Sequence, residues 1–256
     1  MTAAIVLAHG AWADGSSWAA VIARLQSRTL EVVAAPLPLT SLADDVAALE
    51  RTLARIAGPI VLVAHAYAGA VIGASRNERV QALVFVAALT PDQGETVAEV
   101  FYRDKPHPQA PQLAPDTHGF VWLPVDAFDV AFCQHASPQQ AALLAATQRP
   151  INLACIQERA PTPTWRTKPS WYLVAQDDRM INPATQLFLA QRMAAEIRSA
   201  KVDHMPLVTA PDLVVETILA SVIPSEASVI PSEASVIPSE ARDPSNCPKD
   251  PSLRSG

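Results

Sequence analysis

The chain is short of the residues that cross-link small folds, grip polyanions or span membranes. Its 256 residues include three cysteines, Cys133, Cys155 and Cys247, too few and too scattered for a disulfide framework or a CxxC metal site, and no His stands at ligand spacing beside them. A reduced compartment is expected. Lys and Arg number 19 against 25 Asp and Glu, for a net charge of -6, with no basic stripe to neutralise a phosphate backbone. Nucleic acid is not an expected partner. No apolar run reaches the about 18 residues of a membrane span, and the apolar stretch Ala3 to Ala8 has neither a basic flank nor a cleavage site. The expectation is a cytoplasmic protein without membrane attachment. Glycine is scarce, at eight residues. What the sequence does have is apolar substance, 50% hydrophobic against 17% charged, enough for a sizeable core in one globular domain.

Proline is plentiful and unevenly placed. Of 23 prolines, eleven lie between Pro91 and Pro169 and six follow Ser221. The last group belongs to a tail in which SVIPSEA occurs three times, at 221–227, 228–234 and 235–241. A seven-residue repeat can signal a coiled coil, but Pro224, Pro231 and Pro238 would each cost a helix roughly 3 kcal/mol. We expect residues 221–256 to be disordered. The identity of the copies is what duplication of a repetitive DNA element, read through a lost stop codon, would leave.

Residues 1–220 alternate short apolar runs with amphipathic stretches, the pattern of βα units on a parallel sheet. Strands are expected at 3–8, 32–35, 60–64, 80–87 and 171–175, with a weaker one at 197–202. Helices are expected at 17–26, from Ser41 to about Ile56, and at 68–75, 184–193 and 213–219. Leu42, Val46, Leu49, Leu53 and Ile56 recur at spacings of three and four, placing one face of the second helix on the sheet, and Asp44 and Asp45 suit its first turn. Between them, residues 89–168 show no clean period. A segment of that length is expected to be a lid over a site.

The strand ending at Ala64 runs into His65-Ala66-Tyr67-Ala68-Gly69 and then a helix, the strand-turn-helix context of the nucleophile elbow, G-x-S-x-G. Small residues remain at Ala64, Ala68 and Gly69, but Ala66 stands where the serine would be. With His9-Gly10-Ala11-Trp12 and the stretch Ala64 to Ile72, the chain resembles the α/β-hydrolase-fold family that includes plant methylesterases, hydroxynitrile lyases and bacterial esterase-like proteins. Lys168 to Tyr172, Asp177 to Ile181, Gln186 to Met193 and Asp203 to Leu207 extend the likeness in collinear order over about residues 3–219.

The resemblance implies a mostly parallel sheet of about six strands with flanking helices. It also implies Asp178 as triad acid, His204 as base, and the backbone N–H groups of Ala11 and Tyr67 as an oxyanion hole. Asp178 and His204 each follow a strand, so both fall at the C-terminal sheet edge where open α/β sheets bind ligands. His9, Trp12 and His65 are expected to shape the pocket, with His9 setting the oxyanion loop. His107, His118 and His135 are taken as solvated or packed in the lid, and no metal or cofactor is assigned. Phe101, Trp122, Leu123, Phe128 and Trp165 suggest an apolar pocket for a small molecule.

A methyl group cannot attack an ester carbonyl, and Ser16 and Ser17 read as helix caps while Ser75 lies two turns beyond Ala66. Three readings stay open. The chain is a silent member that keeps the pocket, an enzyme in which His204 and Asp178 act as a general base, or a protein with a deliberate Ser→Ala change. Ala64 and Ala68 also depart from the common glycines, which favours natural divergence. If the elbow is kept, Ala66 should have a positive φ.

Overall fold

The structure is a computed structural model that describes residues 2–222. All of the expected tail except Ser221 and Val222 lies outside the described residues. Valine-, isoleucine- and leucine-rich runs form six strands, β1 (Ala4–Ala8), β2 (Val32–Ala35), β3 (Ile60–His65), β4 (Val80–Val86), β7 (Ser170–Ala175) and β8 (Glu196–Ala200). They build one sheet in the order β2-β1-β3-β4-β7-β8 with every neighbouring pair parallel. This is the α/β-hydrolase fold. Strands β1 and β3 are buried along their whole length, because a parallel sheet is covered on both faces. Strand β8, at one edge, is largely exposed and its pattern correspondingly weak.

The helices on the sheet are α1 (Ala19–Gln26), α2 (Leu42–Leu53), α3 (Ala68–Ala74), α8 (Pro183–Arg192) and α10 (Pro211–Val222), with the single turn α9 (Pro206–Thr209) before the last. Helix α10 runs two residues beyond the boundary expected at 220. Before α1 the chain makes a 3-10 turn, Gly15–Trp18, capped by the Asp14 side chain accepting from Ser16 N. Ser16 and Ser17 do not cap it: their hydroxyls donate to the Asp14 carboxylate and carbonyl. In α2 Ser41 is the cap, accepting from Asp44 N at 3.0 Å. Leu42, Leu49 and Leu53 are buried. Asp45, in the first turn as expected, is fully buried.

Residues 89–168 are irregular but not shapeless. They contain short helices α4 (Val97–Phe101), α5 (Val125–Ala127), α6 (Pro138–Thr147) and α7 (Leu153–Gln157), and a two-stranded antiparallel pair, β5 (Phe120–Val121) with β6 (Ile151–Asn152). Helices α4 and α6 both open on capping boxes. None is long enough to leave a period in the sequence. Among the described residues no helix is long and apolar enough to cross a membrane.

The strand order reverses between β1 and β3, which run side by side from Ala4 opposite Ile60 to Ala8 opposite Ala64. The loops leaving these two strands therefore diverge and open a crevice at the C-terminal edge. Helix α3 starts there, pressed so tightly on the chain after β4 that a Cβ on Gly69 would lie 2.4 Å from the Leu89 carbonyl oxygen. G69A should therefore destabilise the fold by about 1–3 kcal/mol through overpacking, read as a lowered urea midpoint with unchanged m-value.

Candidate active site

At the end of β3 the chain reverses through Ala66, whose φ is 49°. For an L-residue other than glycine this left-handed conformation costs on the order of 1–2 kcal/mol, and it is held by three backbone bonds. Ala66 N donates to Val86 O at 3.2 Å, and its own carbonyl accepts from Gly69 N at 3.1 Å and Leu89 N at 2.9 Å. The β1 loop closes on the other side: a Cβ on Gly10 would stand 2.9 Å from the Ala66 Cβ. The turn keeps the nucleophile-elbow conformation with a methyl group at its apex. Next to that methyl, the backbone N–H groups of Ala11 and Tyr67 donate to no other group among the described residues, and both residues line the same cavity.

Asp178 and His204, 26 residues apart in sequence, meet beside this turn, the His204 Nδ1–H donating to Asp178 Oδ2 at 2.8 Å. Both are buried. Asp178 accepts three further bonds, from Met180 N at 2.7 Å and Ile181 N at 2.9 Å on Oδ1 and from the Gln186 amide at 2.7 Å on Oδ2. Four donors and no acceptor suit an ionised carboxylate. With Nδ1 as donor, Nε2 has no partner among the described residues, and His204 lines the cavity. Asp203 fixes the loop from behind, accepting from Met205 N, Thr209 Oγ1 and His135 N.

The cavity has a volume of about 270 Å³. Its floor is Ala11, Ala66, Tyr67 and His204, and its roof is supplied by α4, the β5/β6 pair and α7. Nearly all of the lining is aliphatic or aromatic, and no Asp, Glu, Lys or Arg contributes. Nor does any Ser, Thr or Cys. Trp12 lines it as expected, with φ at 57° and its indole N–H donating to Val121 O at 2.9 Å, tying the β1 loop to β5.

His9 and His65, expected at the pocket, are behind it. His9 Nδ1–H donates to Gly10 O and its Nε2 accepts from Leu37 N, bridging the loops after β1 and β2. His65 Nε2–H donates to the carbonyl of His204 at 2.8 Å, its ring tilts against the His204 ring, and its Nδ1 is buried without a partner. Burial holds both imidazoles below their ordinary pKa, His65 far below. Of the five apolar residues expected over the pocket, only Phe101 lines it. Phe128 packs on Phe132, Leu123 and Trp165 are buried elsewhere, and Trp122 is exposed. Ser75 donates to Glu50, far from the turn. His118 and His135 are exposed and His107 half-buried. Cys133 and Cys155 are free and buried, their thiols pushed up to about 12. Among the described residues no three His, Cys, Asp or Glu side chains converge to hold a metal.

Two supporting groups went unread in the sequence. Gln186, one turn into α8, anchors Asp178. Asp45 accepts from Leu39 N at 2.7 Å, from the Tyr67 hydroxyl at 2.6 Å and from the Cys155 thiol at 3.6 Å. Burial raises its pKa, and the same burial, followed by the neighbouring Asp45 charge, raises that of Tyr67. Asp45 thus ties the residue after Ala66 to the roof helix α7. The spacing of Asp45 within α2 gave no hint of this, since it reads equally well as a first-turn acid.

Comparison with known proteins agrees with the fold. The family model described as "Alpha/beta hydrolase family" matches residues 5–217. Among curated proteins, the alpha/beta hydrolase nvfD of Aspergillus novofumigatus is 24% identical over 240 residues, 84% of this chain and 94% of that one. Among solved structures, polyneuridine aldehyde esterase superposes with a TM-score of 0.76 at 18% identity, covering 86% of this chain and 99% of its own. A variant of tomato methylketone synthase I complexed with beta-ketoheptanoate does so with a TM-score of 0.72 at 15% identity, covering 86% and 97%.

The two buried neutral imidazoles make a stability prediction. Their folded-state pKa values lie below the ordinary value of about 6.5, so the unfolded chain binds protons more readily below that pH. Stability should be complete above this value and fall as pH drops through 6.5 to 5, by up to about 1.4 kcal/mol per pH unit for each group. In H65Q the slope from urea titrations at several pH values should be roughly halved; an unchanged slope would remove His65 from the account.

Proposed function

The chain belongs to the alpha/beta hydrolase family, and from that premise we propose that it is a member without a nucleophile. It keeps a lidded pocket for a small, uncharged carbonyl compound of the ester type and has lost serine-dependent ester hydrolysis. The observation that carries this is the methyl group at the apex of an otherwise intact elbow. Ester hydrolysis on this fold needs a hydroxyl within hydrogen-bond reach of the histidine, to form an acyl-enzyme. Ala66 offers none, and among the described lining residues no Ser, Thr or Cys replaces it; the hydroxyls present are the phenols of Tyr67, committed to Asp45, and of Tyr102, which is exposed. The reduced free thiols are consistent with action in the cytoplasm.

In this reading Asp178 and His204 are the acid and base of the former triad. The N–H groups of Ala11 and Tyr67 hold the ligand's carbonyl oxygen, with donors preset in a water-poor cavity. Residues 89–168 are the lid. Wild-type protein should cleave short aryl esters at the background rate, and A66S should raise that rate by at least about a thousandfold, a fraction of what a nucleophile contributes in a complete triad. A66S/H204A should lose the gain. Ordinary esterase rates in the wild type, abolished by H204A, would overturn the proposal.

The unpaired Nε2 of His204 supports a second reading. An imidazole oriented by Asp178 and facing an apolar cavity can remove a proton from water or from carbon next to a carbonyl, while the Ala11 and Tyr67 N–H groups stabilise the resulting alkoxide or enolate. That chemistry is lyase-like or water-activating and needs no serine. The keto group of the beta-ketoheptanoate bound by the methylketone synthase variant is the kind of carbonyl such a site would polarise. Ligands found by thermal shift should then exchange their α-hydrogen for deuterium in heavy water with wild type and not with H204A. Binding without exchange or turnover leaves the first reading standing alone.

A further inference from the structure

The central prolines do more than interrupt secondary structure: those at 106, 108 and 111 wall off a second cavity of about 200 Å³. It adjoins the first through a shared partition of Phe101, Tyr102, Leu113 and Met180. Phe101 and Tyr102 pack edge to face at 4.9 Å, and Tyr102 is 57% exposed, so this outer cavity lies on the solvent side. The wall is fixed by its sequence and its anchors. Each proline locks φ, Ala110 N donates to His107 O at 2.9 Å, the Asn182 amide donates to Lys105 O at 2.8 Å, and Pro115 bridges to Val121. A wall so held is preorganised to bind.

The two cavities differ in chemistry. The inner is lined by aliphatic and aromatic side chains, with His204 on the floor and Gln157 on the roof as its polar groups. The outer presents His107 and Gln112. Gln109 N donates to His107 Nδ1 at 3.1 Å, which leaves the Nε2 side of that ring for a ligand, and the Gln112 amide has no partner among the described residues. No Asp, Glu, Lys or Arg lines either space.

We propose that the outer cavity is a second binding compartment, and that the ligand is an elongated neutral amphiphile. Its carbonyl lies at Ala66, its apolar middle crosses the partition, and a terminal hydroxyl or carbonyl bonds to His107 and Gln112. At about 30 Å³ per water-sized group, the inner space takes roughly nine non-hydrogen atoms and the outer roughly seven. This gives the proposed pocket its ligand class and rests on that reading.

The test is equilibrium binding to the full chain, followed by isothermal titration calorimetry, with methyl hexanoate, methyl dodecanoate and the ω-hydroxylated counterpart of methyl dodecanoate. The hexanoate should bind in the inner cavity alone. The ω-hydroxy ester should bind about fivefold more tightly than the unsubstituted dodecanoate, as expected for one added hydrogen bond. H107A/Q112A should erase that difference without changing hexanoate affinity. A110W, which fills the outer cavity from its own wall, should weaken both long esters and spare the short one. Equal affinity for the two long esters, or a preference that survives H107A/Q112A, overturns the second compartment while leaving the inner pocket intact. Failure of all three to bind, in protein with a normal thermal transition, refutes the pocket reading and this one with it.

Discussion

The site depends on one backbone reversal. Strand β3 enters it fully buried and α3 leaves it fully buried, so the turn between them has no room to relax. Gly10 presses from one side and the Leu89 carbonyl from the other, and both approaches are closer than a Cβ allows. A non-glycine residue therefore stays left-handed at Ala66 although no hydroxyl there draws any benefit from the strain. Natural backbones keep such outliers when the surroundings over-determine them. Here the surroundings are the sheet order and the packing of α3, which would have to change together for the turn to unwind.

The same reasoning applies to the Asp178–His204 pair. Asp178 is a buried charge, and breaking one of its four hydrogen bonds would leave it undersatisfied at a cost of about 1–3 kcal/mol. Gln186, the Met180 and Ile181 N–H groups and His204 are thus held by the stability of the loop after β7 as much as by any chemistry. His65 adds a second restraint by bonding to the carbonyl of His204. The geometry of the pair is a property of the fold.

The sheet was legible because its strands are short β-branched runs separated by proline, glycine or capped helices, and because β1, β3, β4 and β7 run largely buried through the core. β8 shows the limit: exposed on both faces, it has little pattern to read. The elbow and the Asp178–His204 pair were legible as spaced motifs on loops. His9 and His65 were misplaced because a motif gives position along the chain and not which way a ring turns; both turn inward and bind backbone. In residues 89–168 no element exceeds ten residues, too short for periodicity to accumulate, so which aromatic would face the cavity could not be read. Asp45 escaped for another reason: its partners, Tyr67 and Cys155, lie 22 and 110 residues away.

That carboxylate joins two parts otherwise described separately. Tyr67 carries one of the N–H groups at the floor of the cavity, and Cys155 sits on the helix that forms part of its roof. Because a single buried oxygen, Asp45 Oδ2, accepts from both, displacing the roof strips a partner from the group that positions the floor. A bulky adduct on the Cys155 sulfur would be felt at Ala66 without touching it.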